Sequence, residues 1–204
     1  MGLDAVREAL PGYAKDLKLN LASLPTGSLL SEQQLWGAVV AAAIASPAST
    51  ATAELTAEGR MHLSPVAYDG AKAAAAVMAM NNVYYRSKHL LAQAGATAYD
   101  ALPARLRMQV IASSAGVEKA DFELWCLVVS AVNGCGACLA AHERGLRGLG
   151  VTAEQVHDGL RVAAVVHGAC ATLAAEAVLD GSAASVVGPP PTGVPGDGAV
   201  VPGG

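Results

Sequence analysis

Aromatic residues make up only 4% of the 204-residue chain, with a single Phe. Strands draw on aromatic and β-branched side chains, whereas this chain is rich in Ala, the strongest helix former, so an all-β fold is excluded and an all-α fold is expected. Charge is sparse as well: 13 Lys and Arg stand against 17 Asp and Glu, a net charge of −4, with no basic block and no interleaving of basic and aromatic residues. Nothing in that pattern neutralises a phosphate backbone, and no nucleic-acid partner is expected. The N-terminal stretch MGLDAVREALPGYAKDLK lacks the apolar run and small-residue cleavage site of a secretory signal, which points to the cytoplasm. The stretch from Trp36 to Ala53 is uncharged but mostly Ala and contains Pro47. It reads as a packed helix followed by a turn, not as a membrane span.

What is present is 53% hydrophobic residues, enough for a substantial core. Helices are expected at about 4–9, 31–45, 51–60, 65–80, 87–94, 103–111, 118–133, 136–148 and 153–179. Several starts carry cap chemistry: Ser31 lies three residues before Gln34, Ser64 precedes Pro65, and Thr152 precedes Ala153 and Glu154. From Gly181 the composition turns to GSAASVVGPPPTGVPGDGAVVPGG, which is expected to be a disordered tail.

Setting the chain against itself with an offset of 89 residues aligns 34–78 with 123–167 without a gap, with identity at fourteen of 45 positions. Leu35-Trp36 falls on Leu124-Trp125, Val39-Val40 on Val128-Val129, Glu54 on Glu143, Gly59 on Gly148 and Asp69-Gly70 on Asp158-Gly159. Residues 1–180 are therefore expected to form one domain of two related helical lobes sharing a core.

The segment Asn133-Gly134-Cys135-Gly136-Ala137-Cys138-Leu139-Ala140-Ala141-His142-Glu143 concentrates the chemistry. On a helix starting near Gly134, Cys135 and Cys138 sit one turn apart, with His142 a further turn along the same face. The first turn of a helix favours a thiolate, His142 suits proton exchange, and sulfurs this close can cycle between dithiol and disulfide. Two other readings stay open at this stage. Small Cys side chains can fill a helix interface, and CxxC is half of many zinc sites, although zinc would have to recruit ligands such as Cys126, Cys170, His157 or His167.

The internal offset acts as a control. Cys135 and Cys138 fall on Ser46 and Ser49, His142 on Ala53, and Glu123 on Gln34. The frame agrees where the reactive groups do not, which draws Glu123 into the candidate site beside His142. Cys126 and Cys170 are expected in the core, His157 and His167 as ordinary helix residues, and His62 and His89 in exposed, loop-like surroundings. Trp36 and Trp125 are expected as packing anchors, and Met78 and Met80 as core.

These features resemble the alkyl hydroperoxide reductase AhpD family, within the wider carboxymuconolactone decarboxylase-like group. The likeness covers roughly residues 3–180. It is carried by CGACLAAHE, by Leu10-Pro11-Gly12-Tyr13-Ala14-Lys15-Asp16 with Lys18-Leu19-Asn20-Leu21, by Met80-Asn81-Asn82-Val83-Tyr84-Tyr85-Arg86, and by Phe122-Glu123-Leu124-Trp125. The resemblance implies an all-helical homotrimer that reduces organic hydroperoxides and regenerates the peroxiredoxin AhpC, and it implies no bound cofactor or metal. Electrons would come from the dihydrolipoyl group of a carrier such as an acyltransferase subunit, kept reduced by dihydrolipoamide dehydrogenase. By position, Cys138 matches the thiol that becomes a sulfenic acid and bonds AhpC, Cys135 the resolving thiol and proton donor, and Glu123 and His142 the proton relay. Ala137 stands where some members carry a further relay His, and the tail lies outside the likeness. A lyase of the carboxymuconolactone decarboxylase kind, with His142 as base, and a zinc-binding stress protein without enzymatic activity are the competing functions.

Overall fold

A computed structural model of the chain describes residues 2–181, all of whose regular structure is helical. The helices are α1 (Gly2–Ala9), α2 (Lys15–Ser23), α3 (Glu32–Ala45), α4 (Thr50–His62), α5 (Pro65–Gln93), α6 (Gln109–Ser113), α7 (Lys119–Val132), α8 (Gly136–Gly148) and α9 (Ala153–Leu179), with three short 3₁₀ turns between them. The cap chemistry expected from sequence is in place: Ser31 with Gln34 and Thr152 with Gln155 close reciprocal capping boxes, and the Ser64 side chain accepts from the Ala67 N–H ahead of Pro65.

Two expected helix spans are corrected and one helix is new. Helices at 65–80 and 87–94 are one continuous helix, α5, because Asn81 and Asn82 face the core instead of breaking the chain. The helix at 103–111 shrinks to α6: residues 103–108 are irregular, and Arg105 takes a positive φ of 52°. Helix α2 was not expected; it seats Leu21 in the core. All of the expected disordered tail beyond Gly181 lies outside the described residues.

At the centre α3 packs on α7, and both are buried along most of their length, including Val39, Val40, Val128 and Val129. The long helices α5 and α9 each cross both members of that pair. On the outside α8 packs on α5 and α7, while α4 packs on α9 and α3. By length and composition α9 alone among the described residues could cross a membrane; here it covers α3 and α7 and buries Val156, Val162, Val166, Ala169 and Leu173.

The α3–α7 contact is close because Gly37 makes room for the Trp125 ring. A Cβ at position 37 would lie 2.1 Å from Trp125 Cε2, and the Trp125 indole N–H donates to the Gln34 carbonyl at 3.2 Å. Gln33 and Gln34 donate from the same turn to the buried Asp121 carboxylate at 2.7 and 2.9 Å. Gly37→Ala is accordingly expected to destabilise the fold by about 3 kcal/mol, since a rigid ring on a central helix has nowhere to retreat. Urea unfolding checks this; an unchanged midpoint would contradict the packing.

Trp36 is an anchor of a different kind. Its ring stacks on His62, centroids 4.2 Å apart, and His62 Nδ1 lies 2.8 Å from Glu32 Oε1. His62 thus ends α4 in a defined stack, and His89 lies exposed within α5; neither belongs to a loop. Of the two methionines expected in the core, Met78 is buried and Met80 is exposed.

Candidate active site

Helix α7 ends and α8 begins within three residues, and the local chemistry dictates how. Gly134 adopts φ +65°, which only a residue without Cβ takes freely; its N–H donates to Ala131 O and the Cys135 N–H reaches back to Ser130 O at 3.0 Å. This paired pattern is the Schellman stop of a helix. Cys135 then serves as the N-cap of α8, with its sulfur accepting from the Cys138 N–H at 3.4 Å. The sequence places a helix near Gly134; in the structure Cys135 stands just outside it and Cys138 in its first turn.

The two cysteines are joined in a disulfide, with Cα atoms 5.3 Å apart. They are not equivalent. Cys135 is fully buried, whereas Cys138 is 5% exposed and forms part of a cavity wall. Both sulfurs sit at the positive end of a 13-residue helix, where unpaired N–H groups favour an anion.

Glu123 of α7 and His142 of α8 meet across the helix pair, with Oε2 2.7 Å from Nδ1 and both side chains largely enclosed. The carboxylate lies over Gly145, where an added Cβ would stand 3.4 Å from Oε2. A carboxylate on one imidazole nitrogen fixes the ring's orientation and tautomer, leaving Nε2 to exchange a proton. His142 also lines the Cys138 cavity.

That cavity has a volume of about 460 Å³. Met78, Asn81 and Tyr85 of α5 form one wall. Met108, Ile111 and Ala112, at and around α6, close a second, and Ala137, Cys138, Ala141 and His142 of α8 the third. The lining is almost wholly apolar, so the space suits the hydrocarbon part of a small molecule with its reactive end at sulfur.

Sequence reasoning missed the framework beneath the thiols. Asn82 of α5 donates to Ser130 Oγ at 3.0 Å and accepts from Asn133 Nδ2 at 3.0 Å, Ser130 in turn donates to Cys126 O, and Arg86 donates to Asn133 O. This network ties α5 to the turn carrying Cys135. Its only signal in the sequence is the MNNVYYR segment, quoted above for resemblance without a role.

The remaining candidates lie elsewhere. Cys126 and Cys170 are buried free thiols. Burial, reinforced by the Glu123 charge, pushes the Cys126 thiol up; burial also pushes Cys170 up, against a weak contact from Thr52 Oγ1 at 4.0 Å. His157 is exposed, and His167 meets Ser46 Oγ at 3.2 Å. Among the described residues no three His, Cys, Asp or Glu side chains gather into a metal-binding group.

Comparison with known proteins places this geometry in context. Residues 97–181 match the carboxymuconolactone decarboxylase family. Over 88% of this chain and 98% of its own length, alkyl hydroperoxide reductase AhpD of Streptomyces coelicolor is 54% identical. The protein of that name from Frankia alni is 55% identical over 86% of this chain and 92% of its own, and that from Rhodospirillum centenum 49% identical over 89% and 95%.

Proposed function

The chain belongs to the alkyl hydroperoxide reductase AhpD family, and we propose on that footing that it reduces organic hydroperoxides through a Cys135–Cys138 dithiol cycle and regenerates the peroxiredoxin AhpC. The observation that carries this reading is the disulfide whose more accessible sulfur, Cys138, shares an apolar cavity with a carboxylate-oriented histidine. In the reduced protein the Cys138 thiolate attacks the terminal oxygen of the hydroperoxide. An S–O bond forms, the O–O bond breaks, and the departing alkoxide takes a proton through His142 to leave as the alcohol. The Cys135 thiol then attacks the Cys138 sulfenic acid, releasing water and closing the disulfide.

Two electrons restore the dithiol. Their source in this reading is the dihydrolipoyl group of an acyltransferase-type carrier, which leaves as the lipoyl disulfide and is reduced again by dihydrolipoamide dehydrogenase. The reduced pair passes electrons to AhpC through a mixed disulfide at Cys138. No cofactor is bound by this subunit. The protein works in the cytoplasm as a homotrimer. The alignment of 34–78 with 123–167, with α3–α4–α5 following the same packing order as α7–α8–α9, supports one domain over 1–180 with two related lobes, of which one retains reactive groups.

The match to the carboxymuconolactone decarboxylase family supplies a second reading, a lyase in which His142 acts as base and the thiols are bystanders. The two part on one assay. With NADH, dihydrolipoamide dehydrogenase and a lipoylated carrier domain, addition of cumene hydroperoxide is expected to drive NADH oxidation that alkylation of the reduced protein abolishes. Absence of hydroperoxide-dependent NADH oxidation with the untreated protein would contradict the reductase reading.

A further inference from the structure

The apolar wall that α5 gives to the Cys138 cavity carries one amide. Asn81 belongs to α5 and is 3% exposed, and its Oδ1 is buried with no hydrogen-bond partner. Its neighbour Asn82 bonds both Ser130 and Asn133, and the structural network of this turn does not call on Asn81. A buried carboxamide oxygen left unpaired costs stability, and such groups persist where a ligand completes them. Here the ligand space is the cavity that Asn81 lines together with Cys138 and His142.

We propose that Asn81 is a substrate-binding residue: its carboxamide grips the hydroperoxyl end of an organic hydroperoxide beside Cys138 Sγ. The apolar remainder of the substrate then lies along Met78, Tyr85, Met108 and Ile111. The inference rests on the reductase reading above. A hydroperoxide brings one O–H donor, on the terminal oxygen, and that is the oxygen sulfur must attack. With the carboxamide turned so that Oδ1, closed to solvent here, meets the cavity, donation from this O–H holds the terminal oxygen beside the thiolate. The bonds exchanged are those already described; Asn81 neither gains nor loses a proton. Hydrogen bonding of this kind distinguishes a hydroperoxide from an ether or alkane of the same shape, a selection the hydrocarbon walls cannot make.

The test is single-turnover oxidation of the reduced full-length protein by cumene hydroperoxide, comparing wild type with Asn81→Leu and Asn81→Ala. The second-order rate constant for disulfide formation is expected to fall about tenfold or more in both variants. The rate of iodoacetamide alkylation at Cys138 stays within twofold of wild type, and the melting temperature of Asn81→Leu is not lowered, because an unpaired polar group has been removed from a buried site. Loss of peroxide reactivity with unimpaired stability and thiol reactivity is a pattern that a purely structural asparagine does not produce. An oxidation rate within twofold of wild type overturns the proposal, as does a parallel loss of alkylation rate, which would assign Asn81 to the thiol instead of the substrate. If Asn81→Leu does not fold, the smaller Asn81→Ala carries the same comparison. Failure of the wild-type protein to react with hydroperoxide would instead overturn the reductase reading.

Discussion

Cys138→Ser is expected to lower kcat/KM for cumene hydroperoxide by about 10⁴-fold or more, leaving no measurable turnover. The reason is specific to this sulfur. Cys138 is the thiol on the cavity wall, whereas Cys135 is wholly enclosed, so a substrate entering along the apolar walls meets only one nucleophile. A hydroxyl at the same place does not ionise near neutral pH and cannot substitute. The matching change at Cys135 has a different outcome. Cys135→Ser still allows one attack, but the sulfenic acid then has no partner, so one equivalent of hydroperoxide is consumed and a dimedone-reactive Cys138 remains. Equal, complete loss of the first turnover in both variants would contradict the division of roles. Cys126 and Cys170 are held as neutral thiols by burial and are not expected to take over in either variant.

The second large effect belongs to the Glu123–His142 hydrogen bond. His142→Ala removes the proton donor to the leaving alkoxide, and kcat/KM for hydroperoxide is expected to fall about 10²-fold or more. Glu123→Gln keeps a polar group over Gly145 but loses the charge that orients the imidazole across 2.7 Å, so a smaller loss, on the order of tenfold, is expected. Because Glu123 acts through His142, the double variant is expected to be no worse than His142→Ala alone. Losses that multiply in a double-mutant cycle would show that Glu123 has an independent role.

Much of this site is readable from the chain because it is built by local rules. Asn-Gly-Cys after an apolar helix calls for a left-handed stop, and the same three residues hand over to a new helix whose first turn bears Cys138. Glu123 was reachable by two other routes: nineteen residues from His142, it stands out because Gln34 replaces it in the aligned lobe and because it falls in the Phe122–Trp125 segment of the resemblance, and the crossing of α7 with α8 brings the two into contact. Asn81, Asn82 and Arg86 were not assigned a role, because their significance arises from α5 crossing both α7 and α8, a tertiary fact that helical periodicity does not encode. The same pair of asparagines explains the error in α5. Asparagine has weak helix propensity and reads as an interruption, yet Asn82 is satisfied by Ser130 and Asn133, so the helix runs through. The short α6 reflects the opposite conflict: residues 103–108 stay irregular, with Arg105 at positive φ, despite the helix-forming residues among them.

Mass spectrometry of the reduced full-length protein, before and after one equivalent of cumene hydroperoxide, bears most directly on the dithiol cycle. The expected result is the loss of two hydrogens, mapped by proteolysis to the peptide that holds Cys135 and Cys138, with Cys126 and Cys170 still alkylatable after unfolding. An unchanged mass, or oxidation confined to any other residue, would contradict it.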